Sequence, residues 1–190
     1  MAQNIYHPTA VVATDHVGPG TRIGAFTRIY PQVHIGWGCR IGNHCLIEND
    51  VEVGDRVSIG NGTFVPLKVS IGDNVRIGNR VSFLGSAMLQ QILAADEPPA
   101  TRIGAGALIA DGAVIRCGVT LGRHAFVQPY SRVERDVPDF ASVFGKPARQ
   151  DGWVCACGAR LDLPVNGSGE ATCSCGVAYA LANGVVMQVE

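Results

Sequence analysis

Residues 21–47 read TRIGAFTRIYPQVHIGWGCRIGNHCLI, with isoleucine at positions 23, 29, 35, 41 and 47. Outward from this stretch the six-residue interval continues. Ile5, Val11 and Val17 precede it. Val53, Ile59, Val65, Ile71, Ile77 and Phe83 follow, and the series resumes as Ile103, Ile109, Ile115, Leu121, Val127 and Val133. The residue after the aliphatic is repeatedly glycine, and the fourth after it is small or β-branched, as at Thr9, Thr21, Thr27, Val33, Cys39 and Cys45. A period of six fits neither the helical 3.6 nor the alternation of a half-buried strand, so the unit is a short strand plus a turn, stacked many times. The expected fold is all-β, a parallel β-helix with three hexapeptides per triangular coil. The aliphatic fills the interior, the small residue fits beside the corner, and glycine, Asn or Asp serves turns of positive φ. At 18-residue spacing Asn43, Asn61 and Asn79 follow Gly42, Gly60 and Gly78, while Asp55 and Asp73 follow Gly54 and Gly72. These ladders read as turn chemistry, and a substrate contact at any of them stays open.

The 190 residues are 47% hydrophobic and carry a net charge of −1, enough for a core and without a basic field for nucleic acid. No uncharged apolar stretch approaches the ~18 residues of a membrane span, and Met1 to Asn4 lead into the repeat without a signal-peptide pattern. The expected compartment is the cytoplasm. Between Phe83 and Ile103 the interval is 20 instead of six, so 14 extra residues leave the solenoid as a protruding loop at about 84–102. Ala87 to Ala95 is expected as a short amphipathic helix, ended by Pro98 and Pro99. Such an insertion either covers a binding site or is a plain surface excursion.

The seven cysteines fall into two populations. Cys39 and Cys45 occupy the small-residue position and read as core thiols, and Cys117 stands alone. Cys155, Cys157, Cys173 and Cys175 lie beyond the last repeat in two matching Cys-x-Cys-Gly-x-x phrases. Four thiolates fill zinc's tetrahedral shell and leave no site for water, so a metal here is structural. The tail from Trp153 to Glu190 is 38 residues, short enough to need a metal, disulfides or a partner. Disulfides are the competing reading, since each pair encloses one residue where zinc knuckles usually enclose two to four. The expected organisation is a β-helix over 1–144, a linking segment over 145–152 and a zinc-ribbon-like tail over 153–190.

Residues 134–149, ERDVPDFASVFGKPAR, resemble the closing segment of the hexapeptide acyltransferases. Residues 7–62, above all Ile47 to Val57 (IENDVEVGDRV), resemble the N-acetyltransferases acting on dTDP-linked 3-amino-3,6-dideoxyhexoses and UDP-linked 3-amino-uronates. The resemblance covers residues 5 to about 153, and Gly152 to Gly158 is similar to tails in that family. It implies a homotrimer of left-handed β-helices with acetyl-CoA and a sugar nucleotide bound between subunits. It also implies coenzyme contacts from Gly104, Ala105, Lys146 and Arg149, with substrate contacts from Asn49, Asp50 and Gly85. For Lys146 and Arg149 the alternative is a solvated segment.

The chain departs from the family pattern at two places. Phe83-Leu84-Gly85-Ser86 stands where "FTND" is usual, and residues 84–102 contain no histidine. Gln128, Pro129 and Tyr130 replace small residues along the coenzyme path. The candidates for proton transfer are His44 and His124, each third after a core aliphatic and outward-facing, with Asp96 and Glu97 in the loop. An exposed or interface histidine without catalytic duty is the alternative for each. Three function classes follow: an acetyl-CoA-dependent N-acyltransferase, a non-catalytic trimeric scaffold binding a sugar nucleotide or a protein, and a metal-dependent hydratase of the γ-carbonic-anhydrase kind. The last fails on ligands, because His34 and His44 are ten residues apart and His124 is distant.

Overall fold

The computed structural model describes residues 3–84 and 99–189, and every regular element among them is a strand. The expected helix at 87–95, together with Gly85, Asp96 and Glu97, lies outside the described residues. The chain winds as a parallel solenoid of about seven turns with three faces. The first face holds Arg22–Ile23, Arg40–Ile41, Ser58–Ile59, Arg76–Ile77, Leu108–Ile109 and Phe126–Val127. The second begins Val11–Val12, Arg28–Ile29, Leu46–Ile47, Phe64–Val65, and continues through Ser82–Leu84, Val114–Arg116 and Arg132–Val133. The third holds His34–Ile35, Glu52–Val53, Val69–Ile71, Thr101–Ile103 and Thr120–Leu121. Ile41 pairs with Ile59 at a separation of 18, and Ile71 with Ile103 at 32, which puts the 14 extra residues at the corner between the second and third faces.

From Ile23 onward every aliphatic of the series is buried, as are its small partners from Thr21 to Ala125. Each buried isoleucine withdraws enough surface to contribute about 1.5–3 kcal/mol. The small position also satisfies the turns. Thr27 Oγ1 donates to Gly42 O at 2.6 Å and accepts from Cys45 N at 3.1 Å, and the buried Cys45 thiol repeats the first contact with Gly60 O at 3.1 Å. Burial pushes the Cys39 and Cys45 thiols above their usual pKa, which keeps them protonated.

The first coil differs from the expected register. Ile5 and Val11 are 56% and 53% exposed. Tyr6 pairs with Ile23 and Val12 with Ile29, at 17 residues instead of 18. One residue fewer separates Val12 from Val17, so the positions in register with the buried series are Val12, which packs on the core, and Tyr6, which remains 39% exposed at the start of the solenoid. Thr9 accordingly faces out, its Oγ1 accepting from Phe26 N at 3.0 Å, and Ala10 packs on the core.

The turn ladders hold. Asn43, Asn61, Asn79 and Asp111 each accept, through Oδ1, the backbone N–H of Ala25, Asn43, Asn61 and Asn79 at 2.7–2.9 Å. Glycine plays two parts in these turns. The glycines directly after the aliphatic have ordinary φ, and positive φ falls two residues later, as expected at Gly20, Gly38, Gly62, Gly106, Gly112, Asp50 and Asn74, but also at Phe26, His44, Arg56, Arg80, His124 and Tyr130. What requires glycine directly after the aliphatic is the close stacking of coils: a Cβ on Gly60 would lie 2.5 Å from the Gly78 carbonyl carbon.

The solenoid closes on Ala141–Gly145, which turns through Lys146 and Pro147 into Ala148–Val154 and then Arg160–Leu161, all in the sheet of the first face. Residues 148–154, read from sequence mostly as a linking segment, thus form a seven-residue strand. A separate three-stranded sheet, Gly169–Thr172, Ala178–Ala182 and Val185–Val189, completes the tail. Trp153 and Tyr179 are fully buried within the same continuous core as the last coils.

Candidate functional site

The three corners carry stacked columns of side chains, and the sequence candidates divide among them. His44 lies between the first and second faces, in the column Phe26, His44, Gly62, Arg80, Gly112 and Tyr130. Its ring stacks on Phe26 with centroids 5.0 Å apart. This column borders an open groove of about 570 Å³, floored by Asn61, Asn79 and Asp111. Hydrogen bonds from the Asn79 backbone and side chain, helped by the Arg80 charge, hold the Asp111 carboxyl below its usual pKa. Tyr130 is 65% exposed and leans its ring over Gly112, so it forms one end of the groove.

His124 occupies the corner between the third and first faces, beside Gly104 and Ala105, and its backbone N–H donates to Ala105 O at 3.0 Å. Its ring stacks on Phe140 at 5.2 Å, and Phe140 meets Tyr179 edge-on at 5.5 Å. His124 Nδ1 is buried without a hydrogen-bond partner among the described residues. Burial first, then the Arg123 charge, lowers its pKa against a smaller opposing pull from Asp139, which favours the neutral ring. Gly104 has a structural duty as well, since a Cβ there would lie 2.6 Å from Arg123 N.

Asn49 and Asp50 sit at the third corner, between the second and third faces, the corner that also carries the 14 extra residues. Lys146 and Arg149 are exposed at the hairpin tip. Gly145 N donates to Ser131 Oγ at 3.2 Å, which sets that tip next to Tyr130. Within one chain, therefore, Lys146 and Arg149 share the lower end of the His44 corner, His124 shares a corner with Gly104 and Ala105, and Asn49 and Asp50 stand apart from both. Sequence reasoning singled out Asn61 and Asn79 only as ladder residues with a substrate contact left open, and did not single out Gly62, Arg80 or Gly112. The signal was present as the column of positions third after the first-face aliphatic.

In the tail, the Sγ atoms of Cys155, Cys157, Cys173 and Cys175 all lie within 4.8 Å of one another. The close approaches run between knuckles, Cys155 to Cys175 at 3.5 Å and Cys157 to Cys173 at 3.6 Å. A disulfide needs about 2.05 Å, whereas four sulfurs at zinc's ~2.3 Å stand roughly 3.8 Å apart, so the set fits a tetrahedral metal. The knuckles match in detail: Cys155 N donates to Ala159 O and Cys173 N to Val177 O, and Gly158 and Gly176 have φ of 93° and 92°. Around them, the Tyr179 hydroxyl lies 3.2 Å from Cys155 Sγ and accepts from Ala156 N at 3.0 Å. Burial, then the Cys155 contact, pushes Tyr179 up to about 12, so it stays a donor.

The family described as bacterial transferase hexapeptide (six repeats) matches residues 16–49 and 100–135. A dTDP-3-amino-3,6-dideoxy-alpha-D-galactopyranose 3-N-acetyltransferase from Aneurinibacillus thermoaerophilus is 48% identical over 183 residues, 96% of this chain and 94% of that protein. The chain belongs to the hexapeptide-repeat family. Its solenoid is accordingly a left-handed β-helix. Among solved structures of hexapeptide-repeat likeness, a mutant of perosamine N-acetyltransferase from Caulobacter crescentus in complex with CoA and GDP-perosamine is 25% identical, with a TM-score of 0.55 over 80% of this chain. This chain covers 57% of that one. A mutant of the N-acyltransferase AntD from Bacillus cereus shares the fold at 17% identity and a TM-score of 0.53, over 77% of this chain and 78% of its own.

Proposed function

We propose that this chain transfers the acetyl group of acetyl-CoA to the 3-amino group of a nucleotide-linked 3-amino-3,6-dideoxyhexose. The observation that carries this reading is the 48% identity to the Aneurinibacillus enzyme, which runs through both solenoid and tail. In the reaction the unprotonated amine attacks the thioester carbonyl, a C–N bond forms and the carbonyl oxygen takes the displaced electron pair. Collapse of that intermediate breaks the C–S bond, and the proton shed by nitrogen is finally taken up by the departing thiolate. Holding two ligands in line supplies much of the acceleration, and backbone N–H groups stabilise the oxyanion.

We assign the proton transfer to His124. Burial and the Arg123 charge favour its neutral form and Phe140 stacks on its ring, at the corner where Gly104 and Ala105 are taken to pass the pantetheine arm. Lys146 and Arg149 are read as partners for coenzyme phosphates, and Asn49, Asp50 and Gly85 as the sugar side. In this reading the protein is a homotrimer, because in one chain these groups stand at different corners and a cleft between subunits reunites them. The solenoid over 1–144 and the segment 145–152 bind the ligands, and the tail over 153–190 is stapled by one structural zinc on its four cysteines. Among the described residues no helix is long and apolar enough to cross a membrane, and we place the enzyme in the cytoplasm with its acetyl-CoA. The test is calorimetry with acetyl-CoA followed by thiol release on adding the amino-sugar nucleotide. Absence of binding at millimolar coenzyme transfers the reading to a non-catalytic scaffold.

A further inference from the structure

We propose that the gap at Gly62 is a slot for the planar base of a nucleotide, held between the His44 imidazole and Arg80. The idea deepens the transferase reading and rests on it only for the choice of ligands. Along this corner successive side chains stand one coil apart, and the Phe26 and His44 rings stack at 5.0 Å with 17° between their planes, which is the spacing of neighbouring strands. The next level is Gly62, which contributes no side chain, and the one after is Arg80. His44 and Arg80 therefore stem from levels about 10 Å apart. A flat ring at the level of Gly62 would lie one level from each, the separation at which Phe26 already stacks on His44.

The gaps at Gly112 and Gly106 are filled. A Cβ on Gly112 would lie 2.5 Å from Tyr130 Cδ1, and one on Gly106 would run into the His124 ring, so a neighbouring side chain occupies each of those spaces. At Gly62 the nearest heavy atom to such a Cβ is Arg80 Cγ at 3.6 Å, and the space opens into the groove. Gly38 is similarly open, but the arginine beneath it is committed: Arg56 lies over the Trp37 ring at 4.6 Å and donates from Nε to Asn74 Oδ1 at 2.8 Å. The Arg80 charge acts on the nearby Asp111 carboxylate without a hydrogen bond or close ion pair among the described residues, which leaves its guanidinium N–H groups for a ring face or a phosphate. At the floor, Asn61 spends its Oδ1 on Asn43 N at 2.8 Å and keeps its amide N–H₂ for a carbonyl on the base. The one carboxylate lining the groove, Asp111, is occupied by Asn79. Flat groups on two sides, an amide donor and a guanidinium with no hydrogen bond among the described residues match a base joined to phosphate. Both ligands of the transfer reaction carry one, the sugar nucleotide and the 3′,5′-ADP end of the coenzyme.

The experiment titrates the full-length chain, by calorimetry, with dTDP and separately with 3′,5′-ADP, in the wild type, Gly62→Phe and His44→Asn. A Cβ at 62 would meet only Arg80 Cγ, at 3.6 Å, and Phe26, His44, Arg80 and Tyr130 already adopt the same positive φ at this corner. The proposal expects Gly62→Phe to weaken one ligand at least tenfold and leave the other within twofold. Loss of dTDP assigns the slot to the sugar nucleotide, and loss of 3′,5′-ADP assigns it to the coenzyme. His44→Asn should weaken the same ligand roughly threefold to tenfold, and it decides the matter alone if Gly62→Phe does not fold. Unchanged affinities, equal weakening of both ligands, or no binding of either to the wild type overturns the slot. Thiol release that survives Gly62→Phe with unchanged KM refutes the slot and spares the transferase, whereas base-selective binding without thiol release does the reverse.

Discussion

At the residue scale the solenoid sets two different demands on glycine. Gly60 faces the backbone of the next coil, where a Cβ would sit 2.5 Å from Gly78 carbon and oxygen. Gly62 has open space and a φ of 66°. Gly60→Ala should therefore destabilise the fold by about 2–3 kcal/mol, as overpacking against unyielding atoms does, and Gly62→Ala by about 1 kcal/mol of backbone strain. Urea denaturation separates the two, and equal losses would contradict this account of the corners. His124 gives a pH signature. Its folded pKa lies below its unfolded value, so its stabilising contribution is complete above the ordinary imidazole pKa and is lost as pH falls through that value towards the folded one. Stability measured against pH should lose this slope in His124→Asn, and the same variant should lower kcat about 100-fold with CoA affinity kept. Much at this scale was legible. The glycine positions, the Asn and Asp ladders and the buried role of Cys39 and Cys45 all followed from the six-residue phase. The positive-φ positions did not, because they carry histidine, arginine, tyrosine and phenylalanine as well as glycine, and composition therefore gave no mark of the backbone there.

At the element scale, each hexad places an aliphatic and a small residue inward, and Ile59→Ala in the middle of the stack should cost about 2–5 kcal/mol through the cavity it leaves. The register slip of the first coil was hidden because Ile5 and Tyr6, and Val11 and Val12, are adjacent pairs that both look apolar. Only pairing distinguishes which member faces in. The closing hairpin was read as connection because its polar residues, Arg149, Gln150 and Asp151, break the repeat, yet they serve strand pairing and a half-buried contact. Gln128 Nε2 donates to Asp151 Oδ2 at 2.7 Å. Burial alone would raise the Asp151 pKa, but hydrogen bonds from Ser142 and Gln128 and the Arg160 guanidinium outweigh it and hold it low. Its contribution is thus present above the ordinary carboxylate pKa and fades as pH falls through the lowered folded value. Amide exchange of residues 141–154 should accelerate in that acid window in the wild type, and Asp151→Asn should remove the pH dependence. The two cysteine knuckles were legible from their matched phrases. That their sulfurs approach across knuckles instead of within them was not, since sequence spacing does not report how the two turns face each other.

At the scale of the whole molecule, one chain presents three corners with different equipment: a nucleotide-sized groove at one, a held histidine at another, Asn49 and Asp50 at the third. Elemental analysis should return one zinc per chain, and chelation should unfold the tail and lower the thermal midpoint. A metal-free protein with its four tail thiols oxidised in pairs would contradict the zinc staple. Sedimentation equilibrium should give three chains per particle. Assembly was beyond a single sequence's reach because the period reports how a chain packs on itself, and the same hexads would serve a lone prism. The central claim is that this prism aligns a thioester with a sugar amine. Mixing the protein with acetyl-CoA and dTDP-3-amino-3,6-dideoxygalactose and following free thiol together with product mass tests it most directly. The account predicts one thiol released per sugar N-acetylated, and a protein that leaves both substrates unchanged would contradict it.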